Sequence, residues 1–397
     1  MKLNQWTVGL AAAGVVSLAS VAQAEEAKNQ VLTAVSGTTL SGYVNTSVRW
    51  DMGTPAGVTQ FIYGGPGKSD GFNLDVVNVT LAKAPGEGDW AAGYKAELLF
   101  GPDNAALLAG GFNIKQAYVN LKAPVGNGLD IKLGVFDTPT GYEVFNAGDN
   151  PNYTRSWGNT IESTIHTGVL LSYMLGTDNC ICLTAGVANT SDNLINGRLG
   201  AAHQSSKTYI AQVALTAPES FGPLKGATLL GTVVDGRPST GVAGPDTAAV
   251  NVSAMTPELF ERVKLGVGFD SFIRNGLSDT LTLAGYASIK VNEKTKIHLR
   301  GDYLDNNTGS ALAFVGNVPP PPTALTYPTG NVEIFTTTVT LDYSLWENVI
   351  SRLEYRWDHA LSGRQNSPTG AFTSVGGPFG GGRVNASQLA LNVIYKF

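Results

Sequence analysis

The chain has 397 residues, 26 of them basic and 31 acidic, giving a formal net charge of −5 with only 14% charged residues. A chain this poor in charge and 43% apolar is not disordered, and with no basic cluster it offers nucleic acid no footprint. Its 48 glycines and 19 prolines follow no period, which excludes collagen and points to many turns.

The first stretch sets the compartment. Lys2 supplies a positive start, Val8 to Val16 an apolar run, and Ala22-Gln23-Ala24 a small-residue cleavage site. Residues 1–24 therefore read as a signal peptide, with Glu25 opening the mature chain. The run is too short for a membrane helix, and no other stretch reaches the ~18 apolar residues such a helix needs. The cleavage site carries no cysteine, so a lipoprotein is excluded. Residues 25–39 read as a short periplasmic leader and residues 40–397 as one folded unit.

Within that unit the apolar residues recur at a spacing of two, the period of a strand with one face in each environment. Leu40 to Trp50 sets Leu40, Val44, Val48 and Trp50 against Ser41, Asn45, Ser47 and Arg49. Trp90 to Phe100 alternates in the same way. Further strands are expected over Asn73–Lys83, Asn113–Ala123, Leu129–Asp137, Ile165–Leu175, Ile181–Asn189, Thr208–Ala217 and Ala227–Val234. Ala248–Met255, Arg262–Ser271, Thr280–Lys290, Lys296–Leu304, Val332–Tyr343, Val349–Asp358 and a closing strand complete a set of sixteen. Each runs to roughly 10 residues, the length a tilted transmembrane strand requires.

The connections between these strands alternate short and long. Three short ones follow the repeated endings Lys83-Ala84-Pro85, Lys122-Ala123-Pro124 and Thr216-Ala217-Pro218, where proline stops the ladder. The intervening segments are longer, with Ile273–Asp279 the short exception. Four prolines, Pro319 to Pro322, stiffen one long loop. The closing stretch sets Leu389, Leu391, Val393, Tyr395 and Phe397 on one face, against Gln388, Asn392 and Lys396. An apolar strand that runs to the final residue needs a partner, and in a bilayer every edge must be paired. The fold expected is an all-β, antiparallel transmembrane barrel of about sixteen strands, with short periplasmic turns and long extracellular loops. Those five residues of the last strand are also the expected signal to the barrel assembly machinery.

Three stretches carry a resemblance. They are "LSGYVNTSVRW", "DGFNLDVVNVTLAKAPGEGDWAAGYKAELLFGPD" and "IKQAYVNLKAPVGNGLDIKLGVFDTPTGYEVFNAGDNPNYTRS" followed by "HTGV". In them the chain resembles the OmpL-like β-barrel porins of Gram-negative outer membranes. The resemblance implies a passive channel in the outer membrane, without cofactor, and supplies no set of functional residues. Other sixteen-stranded porins lead to the expectation of a homotrimer.

The polar faces of the late strands hold the chemistry. Lys296, His298, Arg300 and Asp302 share one face, as do Arg352, Glu354, Arg356 and Asp358. Thr336, Thr338, Thr340 and Asp342 lie between them, and Arg262, Lys264 and Asp270 project from an earlier strand. A charge on the lipid face costs about 2–4 kcal/mol at the midplane, so these faces must line the interior. They either set selectivity or pair with one another along the wall.

The third long connection, Pro139 to Thr164, differs from the glycine-rich loops. It carries Glu143, Asp149, Glu162 and a single Arg155, with Tyr142, Val144, Phe145, Tyr153, Trp157 and Ile161 available for packing. It resembles the loop that general porins fold inward as a constriction; the alternative is a packed extracellular loop. Folded inward, its acids would face Lys264, Arg300, Arg352 and Arg356 and set a field across the gap. Basic residues outnumber acids on the inward strand positions, which favours anions.

Other chemistry is thin. His166, His203, His298 and His359 sit beside no nucleophile motif, and no metal-ligand spacing or phosphate loop occurs. Cys180 and Cys182 read either as a strained local disulfide or as two small apolar side chains. The function expected is passive diffusion of small hydrophilic solutes or ions through a water-filled porin. The alternative is a structural or adhesive barrel with ligand-binding outer loops.

Overall fold

Alternation of apolar and polar side chains becomes a closed antiparallel barrel in the computed structural model, which describes residues 37–52, 68–107, 113–176, 180–239, 246–275, 278–307, 331–364 and 384–397. The signal peptide, almost all of the leader, Pro319–Pro322 and most of three long loops lie outside the described residues.

The first wall contains β1 (Thr39–Met52), β2 (Gly71–Lys83), β3 (Ala91–Phe100), β4 (Ile114–Ala123) and β5 (Leu129–Asp137). The second contains β6 (Ile165–Leu175), β7 (Ile181–Ala188), β8 (Thr208–Thr216), β9 (Thr228–Gly236) and β10 (Thr247–Met255). The third contains β11 (Val263–Arg274), β12 (Ser278–Lys290), β13 (Thr295–Asn307), β14 (Asn331–Tyr343), β15 (Val349–Arg364) and β16 (Asn385–Lys396). Two short helices, α1 (Pro102–Leu107) and α2 (Trp157–Ile161), lie between strands.

Each strand pairs with its chain neighbours, and β1 with β16 closes the ring. The seam runs from Tyr43↔Lys396 to Met52↔Ser387. Beyond it the Gly42 amide donates to the Phe397 carbonyl at 2.9 Å, and the Phe397 amide donates back at 3.0 Å. Only glycine fits there, because a Cβ on Gly42 would meet the Asn78 carbonyl at 2.1 Å and the Phe397 ring at 2.8 Å.

Outward positions are exposed and apolar: Leu353 and Tyr355 on β15, Leu299 on β13, Val339 and Leu341 on β14, Leu391 and Tyr395 on β16. Inward positions are polar, as the lumen faces predict, and Arg300, Asp302, Thr336, Thr338, Arg356 and Asp358 are each at most 1% exposed. Among the described residues no helix is long and apolar enough to cross a membrane.

All sixteen expected strands are present, β5 and β6 at the expected limits. The departures of more than one residue concern length at the long-loop end. β13 continues to Asn307 and β15 to Arg364, past the expected Leu304 and Asp358. There polar residues such as Asp305, Asn306 and Ser362 interrupt the side-chain period while backbone pairing continues, as in Asp305↔Glu333 and Glu333↔Ser362. At the other end Lys83, Ala123 and Thr216 close their strands just before the three prolines. Cys180 and Cys182 form no disulfide, and Cys182 packs among Met174, Ala214 and Leu230.

Candidate functional site

Apolar side chains decide where the segment between β5 and β6 goes. Phe145 and Tyr153 pack with the inward-facing Tyr43, Val76, Leu99 and Ile394. Trp157 and Ile161 pack with Phe272, Leu304 and Ile334. Two separate clusters, one across the seam of β1 and β16 and one on the third wall, both built from inward positions, hold residues 139–164 inside the barrel. At its neck the Thr138 amide donates to the Thr164 carbonyl at 2.9 Å.

From the neck the segment crosses to the third wall. Thr232 donates to the Pro139 carbonyl at 2.8 Å, and the Gly141 amide donates to Asn251 Oδ1 at 3.2 Å. Tyr142 stacks on Tyr286 of β12 with ring centroids 4.0 Å apart. The ring occupies the place a side chain at Gly266 would fill: a Cβ there would lie 2.3 Å from it.

Backbone groups with no partner in the segment find one on the wall, because a buried amide or carbonyl left unpaired is costly. Glu354 accepts from the Tyr153 and Thr154 amides at 2.6 and 2.9 Å. Arg300 donates to the Thr154 carbonyl at 2.7 Å, and Arg356 donates to the Arg155 carbonyl at the same distance. Arg352 takes the Ala147 and Asn150 carbonyls at 3.0 and 2.6 Å. Asp302 receives the Trp157 amide at 3.1 Å, while the indole N–H donates to Thr336 at 2.9 Å.

Ser156 caps α2 through the Asn159 amide, as a hydroxyl at that position should. Arg155 turns back on its own segment, bonding the carbonyls of Val144, Phe145, Asn152 and Tyr153.

The acids of the segment have separate fates. Glu143 accepts from the Ser156 amide and hydroxyl and pairs with Arg300 at 3.1 Å. Asp149 pairs with Lys396 at 3.0 Å. Glu162 sits beside Asp270 of β11, and Asn251 donates to Glu162 at 3.2 Å and to Asp270 at 2.6 Å. Burial first, and then the Asp270 charge, push Glu162 well above the usual carboxyl range. Two carboxyls in hydrogen-bond contact need a shared proton.

A cavity of about 870 Å³ remains beside the segment on the short-turn side, lined by Lys264, Lys296, Arg262 and Lys294 among others. On the first wall a separate buried network joins Glu97 to Lys95 at 2.8 Å and Lys115 to Asp137 at 2.6 Å. Near the long loops Lys68 bridges Asp75 and Asp103, and burial pushes Asp103 up to about 7.

Residues 37–397 match the family described as "Putative beta-barrel porin-2, OmpL-like". The chain belongs to that family. OmpL-like porins are outer-membrane proteins, and the outer membrane is where this barrel resides. Among solved structures it is similar to the anion-selective porin from Comamonas acidovorans, with 16% identity, a TM-score of 0.57 and coverage of 91% of this chain and 99% of that one. It is similar also to the outer membrane channel DcaP of Acinetobacter baumannii, at 12% identity and TM-score 0.57 over 93% of this chain and 100% of the other. A third is OmpF of Salmonella typhi in complex with daunomycin, at 12%, 0.56, 91% and 97%. At these identities the likeness is one of fold. No curated protein sequence matches the chain.

In this OmpL-like porin the sequence-derived candidates fall into two groups. Glu143, Arg155, Arg300, Arg352 and Arg356 gather around the docked segment, in contact rather than facing each other across water. Lys264 stands apart on the open cavity, Asp149 answers Lys396, and Glu162 meets another acid instead of a base. The expected field between two separated walls is therefore not the observed arrangement at Arg300, because apolar anchoring brings Glu143 within ion-pair range. Sequence reasoning placed Glu354 and Asp302 in the lumen without seeing that they receive loop amides. It missed Gly266 and Tyr286 entirely. The signal for Gly266 was a glycine at an inward strand position, which often marks close approach by another group.

Proposed function

We propose that this barrel is a passive porin for small hydrophilic solutes and ions, with residues 139–164 narrowing its lumen. The observation that carries the reading is the docking of that segment onto inward-facing side chains of β13, β14 and β15, with a charged cavity left beside it. Fixed charges along a narrow, low-dielectric passage act more strongly than in bulk water, so a polar solute passes more readily than an apolar one. Arg262, Lys264, Lys294 and Lys296, which line the cavity and make no ion pair among the described residues, tilt the passage toward anions. A homotrimer belongs to the same reading, and a trimer resistant to detergent on unheated gels is the result it requires.

Planar-bilayer recording tests the proposal. Purified protein should give discrete conductance steps, and deletion of residues 146–156 should enlarge them. Silence after verified insertion would sink the porin and favour a structural barrel. Unchanged steps in a correctly folded deletion variant would remove the constriction while leaving the pore.

A further inference from the structure

The strand wall of the 870 Å³ cavity carries a row of cations. Lys290 of β12 stands directly opposite Lys296 of β13, and its amide donates to the Arg262 carbonyl at 2.7 Å. Lys264 lies one inward position further from the turn, opposite Ser288, and Lys294 lies in the turn between β12 and β13. Like charges directly opposite in an antiparallel pair destabilise it.

Elsewhere this barrel answers its inward cations with acids: Arg300 with Asp302, Arg356 with Asp358, Lys396 with Asp149. Here it does not. Among the described residues, the side chains of Arg262, Lys264, Lys294 and Lys296 make no hydrogen bond or ion pair. Lys290 meets Glu293 on the exposed turn at 2.8 Å. Asp342, opposite Lys296 in register, is engaged instead by Arg352 at 3.4 Å and His298 at 3.8 Å. Glu258 also lines that side of the cavity and acts at longer range on Lys264 and Lys290, and Glu261 acts on Lys290.

We propose that this cationic row is a binding site for small dicarboxylates at the short-turn mouth of the channel. The proposal deepens the porin reading and rests on it for the ligand's passage, though not for its binding. The cations sit on different strands, and adjacent strands lie about 4.8 Å apart. Two anionic groups joined by a short chain can therefore engage two of them at once, whereas a single compact anion engages the row at one point. Tyr142, Met255 and Ile350 on the same cavity give the intervening methylenes an apolar surface. The volume lies in the range of small-molecule sites.

The test uses the full-length protein in detergent, titrated calorimetrically with succinate, acetate and inorganic phosphate at fixed ionic strength, alongside bilayer recording. Succinate should bind, with acetate and phosphate each about tenfold weaker, the factor expected from one lost charge-assisted bond. The pair Lys264→Gln with Lys296→Gln should weaken succinate by about the same factor. In the bilayer, succinate added on the short-turn side should interrupt the current.

Phosphate equal to succinate, or a double variant with unchanged affinity, would overturn the dicarboxylate site. Should the double variant fail to fold, Lys294→Gln in the exposed turn serves, and unchanged succinate affinity there counts equally against the proposal. Calorimetric binding in a barrel that conducts nothing would keep the site and remove the porin. Open channels with no succinate heat would do the reverse.

Discussion

Glu162 couples the docked segment to pH. Its carboxyl is raised by burial and by Asp270, so the folded protein holds a proton that the unfolded chain releases near the ordinary value of 4.5. More protons bound in the folded state means that stability falls as pH rises through the window from 4.5 up to the elevated value. Docking is then tightest in acid and loosens toward alkaline pH. Glu162→Gln keeps the shape and supplies a permanent donor. Its melting temperature in detergent should exceed that of the wild type at pH 8, with the gap closing at pH 5. A gap that widens in acid would show that the carboxyl is not the titrating latch.

At the scale of elements, the docked segment depends on what β11 omits. Gly266 leaves room for the Tyr142 ring, and Tyr286 opposite it in register supplies the stacking face. Gly266→Val should eject that ring and forfeit a stacking contact worth roughly 0.5–1.5 kcal/mol. Single-channel current should become noisier while the circular dichroism stays that of a barrel. Gly268→Ala is the control, because its nearest neighbours lie at 3.6 Å or more. Equal noise in both variants would mean that Tyr142 does not hold the segment.

Strands such as β5 and β6 were legible to the residue in the sequence, because their faces meet lipid and water and the side-chain period records both. The extensions of β13 and β15 were not, since Asp305, Asn306, Asn307 and Ser362 leave too short an apolar run there to show a period. The lumen side of Arg300, Glu354 and Arg356 was legible for the same reason as the strands. Their partners were not, because Thr154, Glu143 and Arg155 are nearly 150 to 200 positions away and follow no period.

For the whole molecule, the seam between β1 and β16 decides assembly. Phe397 contributes two backbone hydrogen bonds with Gly42 and a ring lying over it. Removing Phe397 should lower the amount of folded barrel in the outer membrane severalfold. Phe397→Ala, which keeps the backbone bonds, separates ring from backbone: full recovery in that variant would assign the defect to the backbone pairing alone. The seam joins residues such as Thr46 and Val393, 347 positions apart in the chain. Contacts so remote in sequence are the slowest to form. Until they do, both outermost strands present open hydrogen-bonding edges, which template aggregation. The chain therefore faces its greatest hazard before insertion, in transit across the periplasm, and its yield should follow the supply of holding chaperones there more closely than the stability of the finished barrel.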